Sequence, residues 1–304
     1  MAKQRTGRQV HGLLLLNKPV GLSSNAALQR AKHLFQARKA GHTGSLDKLA
    51  SGLLPVCLGE ATKLSSFLLD ADKHYQAECT LGVTTTTGDS EGEVLLTRPI
   101  NDLDDNKINA VVQSFIGSIS QIPPMYSALK RQGQPLYKLA RQGQTVERQA
   151  RTIKIYNITV QNWAENRLFI KVHCSKGTYI RTLVEDLGEA LGCGAYVSAL
   201  HRTGVGEYAD MFDFETLEHH AQQGIETLDS LLIPLHTVLS HWPEIQLSSE
   251  LTHYVRQGQA IQVSSAPTKG WVKLFTHHTD TAHFIGIGQI LEDGRIAPKR
   301  LINL

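Results

Sequence analysis

The 304-residue chain has few cysteines and no long apolar run. Its four cysteines, at positions 57, 79, 174 and 193, form no C-x-x-C pair and have no histidine at metal-ligand spacing. They predict buried, reduced thiols and argue against a disulfide framework or a zinc site. The apolar residues 13–16 are too few for a signal peptide, and no run approaches membrane-spanning length. We therefore predict a cytoplasmic protein without membrane contact.

Acidic residues are scarce in the first 63 positions, where Asp47 and Glu60 stand against ten lysines and arginines. The whole chain carries a net charge of only +3, so its basic charge is concentrated in segments. A second basic segment, residues 126–154, has seven lysines and arginines and one acid. Two basic segments in an otherwise acidic chain favour a polyanion-binding face, although runs of charge are often ordinary solvated surface.

Asp47 lies in a glycine-rich segment, residues 41–52, that reads G-H-T-G-S-L-D-K-L-A-S-G. Its glycines permit tight turns, and Leu46 and Leu49 can anchor the segment to a core. It lacks the G-x-x-x-x-G-K-[ST] pattern, which excludes a phosphate-binding loop of that kind. An isolated acid in such a loop is usually solvated. In so basic a segment, however, we interpret Asp47 as a functional carboxylate at the edge of a cleft.

This segment resembles the catalytic motif of the TruB family of tRNA pseudouridine synthases, G-H-T-G-[TS]-L-D-P-L-A-[TS]-G. It matches at eleven of twelve positions and departs at Lys48, where the family usually has proline. Four other segments resemble family motifs: K-P-V-G-L-S-S at 18–24, Y-Q-A-E-C-T-L-G-V-T-T-T-T-G-D at 75–89, S-K-G-T-Y-I-R-T-L at 175–183 and A-L-H-R-T at 199–203. In the last of these, His201 replaces an arginine.

The resemblance implies a role for individual residues. Asp47 would be the catalytic acid, acting as nucleophile or as electrostatic partner at ribose C1′. Arg181 would lie against it, and we expect the guanidinium to hold the carboxylate through two nitrogens and keep it ionised. Tyr75 would stack on the target base. The implied substrate-binding residues are His42, which fills the space that the base leaves, Leu200, which lies beneath the uracil, and Lys18, Lys63, Tyr179, Lys130 and Arg141.

Each of these basic residues, and Arg148 with them, could equally be an ordinary surface charge. Lys18 could also support the catalytic loop from behind. The reaction that the resemblance implies requires no cofactor and no metal.

Sequence patterns and the resemblance together predict an α/β (α+β) pseudouridine synthase fold with a mixed, largely antiparallel sheet flanked by helices. We expect a catalytic domain over residues 1–243, with a thumb-like insertion at about 124–152, and a β-rich PUA-like RNA-binding domain over 244–304. Strands are predicted at 12–17, 75–81, 119–122, 153–163, 167–174, 260–263, 270–275 and 283–291. Helices are predicted from 23 or 24 onward and at 60–69, 104–115, 183–191, 213–223 and 248–256. Residues 1–11 are predicted to be a mobile arm.

The function that follows is isomerisation of the T-loop uridine of tRNA to pseudouridine by a monomer that needs no protein partner. Two alternatives remain open: a tRNA-binding or tRNA-folding module without catalysis, and a synthase guided by an RNA. Asp47, Tyr75 and Arg181 are all present, which argues against the first alternative. The basic segment at 126–154 suits direct tRNA binding and argues against the second.

Overall fold

A computed structural model describes residues 7–264, 266–278 and 281–303. Its strands are β1 (Gly12–Lys18), β2 (Ala40–His42), β3 (Ala50–Leu58), β4 (Lys73–Leu81), β5 (Val83–Thr85), β6 (Val94–Thr97), β7 (Gly117–Gln121), β8 (Lys130–Arg131), β9 (Gln134–Pro135), β10 (Arg151–Ala164), β11 (Arg167–Cys174), β12 (Ala195–Val205), β13 (Glu244–Leu247), β14 (Gly270–His278), β15 (Thr281–Ile290) and β16 (Ile296–Leu301). The α-helices are α1 (Ser24–Leu34), α2 (Ser65–Leu69), α3 (Asp105–Ser114), α4 (Leu136–Arg141), α5 (Ile180–Leu191), α6 (Phe214–Gln223), α7 (Ile225–Asp229) and α8 (Ser249–Arg256). Short 3-10 helices occur at Gly59–Lys63 and Leu235–Thr237. In the described part of the chain, no helix is both long and apolar enough to cross a membrane.

The main sheet has the strand order β1-β3-β12-β4-β11-β10-β7, with β2 paired to β3. Its pairs are antiparallel except for β12 and β3, which run parallel over three residue pairs centred on His201 and Ser51. In the last of these pairs Gly52 has φ +101°, and an added Cβ would lie 2.3 Å from the Arg202 carbonyl oxygen. Only glycine allows this approach. The short parallel pairing therefore fixes β3, which follows the Asp47 segment directly, against the residues around Leu200 on β12.

Alternating side chains on β4 and an apolar face on α5 form the core beside the cleft. Ala77, Cys79 and Leu81 point to the same face of β4 and are at most 3% exposed. Helix α5 buries Leu183 and Leu187 in the same core and ends at Gly192 in the left-handed conformation. Burial of each such leucine contributes roughly 1.5–3 kcal/mol. This packing fixes the first turn of α5 at the cleft.

The second sheet has the order β13-β14-β15-β16 and packs against α8 around Val255, Val272 and Ile296. It also covers the opposite face of β1 and β3, where Leu13 and Leu53 share an apolar cluster with Phe284 and other residues of the second sheet. The ring of Phe67 lies 4.8 Å from that of Trp242 and 5.1 Å from that of Trp271. The C-terminal sheet is therefore docked on the back of the strand that follows Asp47.

The predicted mixed α/β fold is confirmed, and most predicted elements lie within two residues of the observed ones. The single helix predicted at 60–69 is wrong, because the chain forms a 3-10 helix and then the separate helix α2. Two hydroxyls compete with helical hydrogen bonding there: Thr62 donates to the Gly59 carbonyl and Ser65 to the Thr62 carbonyl, at 2.8 and 2.9 Å.

Two further predictions are corrected. A strand at 260–263 does not form, since Ile261 alone pairs with Ile296, and pairing partners rather than local alternation decide a strand. The mobile arm is wrong for residues 7–11, while residues 1–6 lie outside the described residues. Arg8 donates to the Asp229 carboxylate at 2.6 Å and to the Phe35 carbonyl at 2.8 Å, contacts that no local pattern reveals.

Candidate active site

A cleft of about 1190 Å³ opens between the main sheet and three loops. The Asp47 loop (residues 43–49) joins β2 to β3, the Asp89 loop (residues 86–93) joins β5 to β6, and the thumb (residues 122–150) joins β7 to β10. The cleft is lined by Asp47, Lys48, Tyr75, Asp89, Glu91, Glu93, Tyr126, Tyr137, Arg141, Tyr179, Arg181, Leu200, Arg202 and neighbouring residues. The structure thus brings together residues that are as much as 179 positions apart in the chain, from Ser23 to Arg202.

The Asp47 loop is held from behind by the turn that precedes α1. The Ser24 hydroxyl accepts a hydrogen bond from the Leu46 N–H at 2.7 Å and lies 2.9 Å from the Leu46 carbonyl, to which it donates. The Gly21 N–H donates to the Lys48 carbonyl at 2.7 Å. Leu46 is buried, whereas the Asp47 side chain is 43% exposed, toward the cleft. A fixed backbone therefore presents a single carboxylate to the cleft.

Arg181, in the first turn of α5, connects the Asp47 carboxylate to the other two loops. Its Nε lies 3.0 Å from Asp47 Oδ2, and its Nη1 lies 3.6 Å from Asp89 Oδ2. It also donates to the Thr87 carbonyl at 3.0 Å and to the Tyr126 carbonyl at 2.7 Å. The expected two-nitrogen contact with Asp47 is wrong, because the remaining N–H groups bond to the Asp89 loop and the thumb. The buried guanidinium is thereby satisfied by several partners.

Burial in the cleft raises the pKa of Asp47 above its ordinary value. The Arg181 guanidinium opposes this shift, and the nearby negative charge of Asp89 adds to it. The Asp47 side chain is still 43% exposed, so its carboxylate is only partly desolvated, and Arg181 limits the cost of this without cancelling it. A carboxylate in this state gains from any positive charge that develops beside it.

Tyr75 and Leu200 form the floor of the cleft on adjacent strands. Arg202, which pairs with Tyr75 across β4 and β12, is 1% exposed and donates to the Leu53 carbonyl at 2.7 Å and to the Gly44 carbonyl at 3.2 Å. Burial raises the pKa of Tyr75, so its phenol stays neutral and offers a ring face rather than a base. This floor fits a planar base.

His42 and Tyr179 also line the cleft. The buried Nδ1 of His42 has no hydrogen-bond partner in the described part of the chain, and burial lowers the pKa of this imidazole. Tyr179 precedes α5, where Gln121 pins its backbone: the Tyr179 N–H donates to Gln121 Oε1 at 2.8 Å, and Gln121 Nε2 donates to the Tyr179 carbonyl at 3.1 Å. A neutral histidine and a tyrosine with a fixed backbone thus line the same cleft as Asp47 and Arg181.

Two of the basic residues expected to contact substrate are already engaged within the protein. Lys18 is fully buried, with its ammonium donating to the Pro19 and Leu22 carbonyls at 2.9 and 2.8 Å, and burial lowers its pKa to about 8. Lys63 bonds to Glu60 and, at 2.7 Å, to the Leu301 carbonyl of the C-terminal sheet. Lys18 therefore supports the site from within, and Lys63 ties the two sheets together; neither contacts the cleft surface.

The other expected phosphate contacts lie on the thumb. Arg141 lines the cleft, with its guanidinium 5.6 Å from the centroid of the Tyr137 ring. Lys130 is exposed on β8 and lies outside the cleft lining. Arg148 donates to the Pro123 carbonyl at 3.2 Å, a contact within the thumb. Only Arg141 of these three therefore faces the cleft.

Several residues in or beside the site were not singled out from the sequence, among them Arg202, Asp89, Glu185 and Glu91. Arg202 and Asp89 lie inside quoted motifs, so their position in those motifs is the signal that could have found them. Glu185, on α5, lies beside Gly88, where an added Cβ would be 2.8 Å from its carboxylate. Burial raises the pKa of Glu185 to about 7. In the described residues, no three metal-ligating side chains converge.

Comparison with solved structures identifies the class of protein. The crystal structure of a Cbf5-Nop10-Gar1 complex matches with a TM-score of 0.73 and 25% identity, over 95% of this chain and 84% of that chain. A structure of an H/ACA RNP bound to a substrate RNA containing 2′-deoxyuridine matches with a TM-score of 0.72 over 100% of this chain and 92% of that chain, and its 23% identity supports the fold alone. The fold is that of a pseudouridine synthase.

Family models and curated relatives give the family. The model of the TruB family pseudouridylate synthase N-terminal domain matches residues 32–180, and two TruB C-terminal models match residues 181–240 and 243–302. A protein of Nitrosococcus oceani called tRNA pseudouridine synthase B is 56% identical, over 99% of this chain and 98% of the relative. A protein of the same name from Coxiella burnetii is 55% identical, over 97% of this chain and 96% of the relative. The chain belongs to the TruB family of pseudouridine synthases, which are isomerases.

Proposed function

We propose that this protein isomerises a uridine in the T loop of tRNA to pseudouridine and that Asp47 carries the chemistry. The observation that carries the proposal is the Asp47 carboxylate, held 3.0 Å from Arg181 Nε in a cleft with a flat aromatic and apolar floor. The names of the relatives support tRNA as the substrate. The resemblance of the Asp47 segment to the family motif supports the T-loop site.

The reaction exchanges one glycosidic bond for another. The N1–C1′ bond breaks, C5 of the same uracil bonds to C1′, the C5 proton leaves and N1 gains a proton. No electrons are gained or lost overall, so the exchange needs no redox cofactor. Asp47 either attacks the nucleoside or stabilises the electron-poor sugar, as carboxylates do in glycosidases. Arg181 orients this carboxylate and limits its pKa rise.

The target base has to leave the folded loop to reach Asp47. Flipping costs a few kcal/mol. Stacking on Tyr75 offsets this cost by about 1–3 kcal/mol. Leu200 excludes water from the apolar side of the uracil ring. His42 is neutral, and its Nδ1 has no hydrogen-bond partner among the described residues. It can therefore occupy the space that the flipped base leaves and form a hydrogen bond there.

The remainder of the tRNA binds outside the floor of the cleft. The basic residues of the thumb, Arg141 above all, meet phosphates, and the C-terminal sheet extends the RNA surface as a PUA-like domain. The protein acts as a monomer in the cytoplasm and needs no protein partner. Its four cysteines are free and buried, which suits a reducing compartment.

Tritium release from C5-labelled uridine in unmodified tRNA tests the proposal. We expect one tritium released per tRNA, with pseudouridine mapped to the T loop. Release only when a guide RNA is added would replace the proposal with an RNA-guided synthase. Release from another position would correct the site, and tight tRNA binding without release from any RNA would leave a binding or folding module.

A further inference from the structure

The Asp89 loop is a rigid wall of the cleft. Asp89 Oδ1 accepts hydrogen bonds from the Thr87 hydroxyl at 2.5 Å and from the Glu91 N–H at 3.0 Å, and the Asp89 carbonyl accepts one from Thr85 at 2.8 Å. Arg181 binds the same loop at the Thr87 carbonyl. The side chain of Asp89 is therefore occupied within the protein, and the loop presents its remaining side chains in fixed positions.

Glu91 projects from this wall into the cleft. The next residue, Gly92, packs so closely on Thr87 that an added Cβ would lie 2.4 Å from its hydroxyl, which fixes the backbone beside Glu91. Glu91 is exposed and lines the cleft. Within residues 7–264, 266–278 and 281–303, its carboxylate has no hydrogen bond or ion pair. Its charge raises the pKa of Lys18 against the effect of burial, as Asp47 does, so Glu91 lies at the catalytic end of the cleft.

A free carboxylate selects what can lie beside it in an RNA-binding cleft. An ionised carboxylate only accepts hydrogen bonds, so it repels a phosphate and binds an N–H donor. Unpaired cytosine, adenine and guanine each carry an exocyclic amine, whereas uracil offers only its ring N3–H, so a contact to an amine is one that uracil cannot make. The cleft volume of about 1190 Å³ exceeds the roughly 300–1,000 Å³ that encloses a drug-sized ligand. It therefore has room for a neighbouring nucleotide as well as the target uridine.

We propose that Glu91 is a specificity-determining residue that accepts a hydrogen bond from the exocyclic amine of a base adjacent to the target uridine. The proposal rests on the proposed function, because it takes the occupant of the cleft to be RNA. Uracil lacks such an amine, so Glu91 would favour one flanking sequence over its uracil-substituted form.

The test removes single amines from a T-arm stem-loop RNA that contains the target uridine. Pyrimidinone replaces cytosine, purine replaces adenine and hypoxanthine replaces guanine, at one flanking position at a time. With the parent enzyme, loss of the amine at one position should lower the single-turnover kcat/KM by about 5- to 100-fold, the range for a good base contact. Glu91→Ala should lower kcat/KM on the unsubstituted RNA by a similar factor. Removal of the amine at that position should then cause no further decrease in the variant.

Glu93 provides the matched control, since its carboxylate belongs to the same loop and also lines the cleft. Glu93→Ala should keep the parent's sensitivity to the amine, and Glu91→Gln, which keeps an acceptor oxygen, should keep part of it. Equal amine sensitivity of the parent and Glu91→Ala at every position would overturn the proposal, as would a parent enzyme that is insensitive everywhere.

Turnover of the unsubstituted RNA by the parent enzyme tests the proposed function independently of the role of Glu91. If there is no turnover, RNA affinities of the parent and Glu91→Ala, measured with and without each amine, still decide the role of Glu91. The melting temperature of Glu91→Ala should equal the parent's, because the carboxylate contacts no described residue. A large decrease would show that Glu91 holds the loop and would count against a base contact.

Discussion

The two sides of the cleft are built differently. On the sheet side, Tyr75, Arg181 and Arg202 are 9%, 4% and 1% exposed and come from two strands and a helix. On the thumb side, the residues are in short strands, a six-residue helix and loops, and only Pro123, Ser127 and Leu136 are buried. Side chains on the sheet side are held by packing, whereas those on the thumb have few contacts to break.

This difference separates two tasks. The proposed chemistry at Asp47 requires a fixed carboxylate and a fixed floor, which regular elements supply. The proposed binding of a large folded tRNA requires a part that opens at little free-energy cost, which a weakly packed segment supplies. The two sides meet where Arg181 donates to the Tyr126 carbonyl at 2.7 Å. Arg181 therefore contacts both the Asp47 carboxylate and the base of the thumb.

The largest effect is expected on the sheet side, from Asp47→Asn. This change keeps the shape and removes the charge, so product formation should fall by about a thousandfold or more, as for groups that act on the reacting atoms. Binding of tRNA should persist, because the thumb is unchanged. Single-turnover assays and filter binding measure the two quantities. Substantial residual turnover would show that another group carries the chemistry.

Arg181→Lys tests the link between the two sides. Lysine keeps the positive charge, but it lacks the planar fork that reaches Asp47, Asp89 and two backbone carbonyls. We expect kcat to fall about a hundredfold, the cost of misplaced catalytic groups, and the thumb to become more sensitive to protease. Arg141→Lys, on the thumb alone, should leave kcat at saturating tRNA near the parental value. Parental kcat in Arg181→Lys would mean that charge alone suffices.

The thumb is tested by reversing the charges of Lys130 and Arg141 together. If both contact phosphates, the log–log dependence of tRNA affinity on salt should become shallower by about 1.4–1.8, since each phosphate contributes roughly 0.7–0.9. Turnover at saturating tRNA should change little. The single variants separate Arg141, which lines the cleft, from Lys130, which does not. An unchanged slope would place the RNA contacts elsewhere.

Glu185→Gln tests how much stability the burial of this carboxyl on the sheet side costs. The pKa of this carboxyl is about 7 in the folded protein, against an ordinary value of 4.5. The folded state therefore binds more protons than the unfolded state between these values, and its stability falls as pH rises through this window. Glu185→Gln should raise the free energy of unfolding at pH 8 by about 1–3 kcal/mol, with the gain shrinking toward pH 5.

Urea titrations across this pH range measure the effect. Glu189→Gln, on the exposed side of the same helix, is the control; it loses the 2.8 Å ion pair with Arg98, so it should give no gain in stability at pH 8. A gain for Glu185→Gln that does not depend on pH would contradict the raised pKa.

The smallest effect is expected from Lys48→Pro at the rim of the cleft. Lys48 is exposed and lines the cleft, where the family motif usually has proline. If Lys48 only faces solvent, proline should stabilise the loop by roughly 0.4–1 kcal/mol and leave tRNA affinity unchanged at all salt concentrations. If it meets a phosphate, the salt slope should become shallower by about 0.7–0.9. Lys48→Ala removes the charge without proline and separates the two effects.

Much of the site could be anticipated from local sequence. Asp47 in a glycine-rich loop, Tyr75 at the start of an alternating strand and Leu200 in a short motif all line the observed cleft. Their roles in catalysis and base stacking remain predictions. The expected substrate contacts of Lys18 and Lys63 are wrong, because Lys18 is fully buried and the partly exposed Lys63 is bonded to Glu60 and to the Leu301 carbonyl. Nothing in the local pattern shows which carbonyls surround a lysine.

The sequence by itself determined the family, through its motifs, and the mixed α/β fold, because periodicity and turn chemistry act between near neighbours. The choice of Asp47 rests on the resemblance of its segment to the family motif. Only the tertiary structure decided that Arg181 offers one nitrogen to Asp47 and gives its others to Asp89, Thr87 and Tyr126. It likewise decided that Glu91 lines the cleft without a hydrogen bond or ion pair to any residue that the structure describes. Hydrogen-bond partners and desolvation depend on segments that are distant in sequence and meet only when the sheet and the helix α5 pack together.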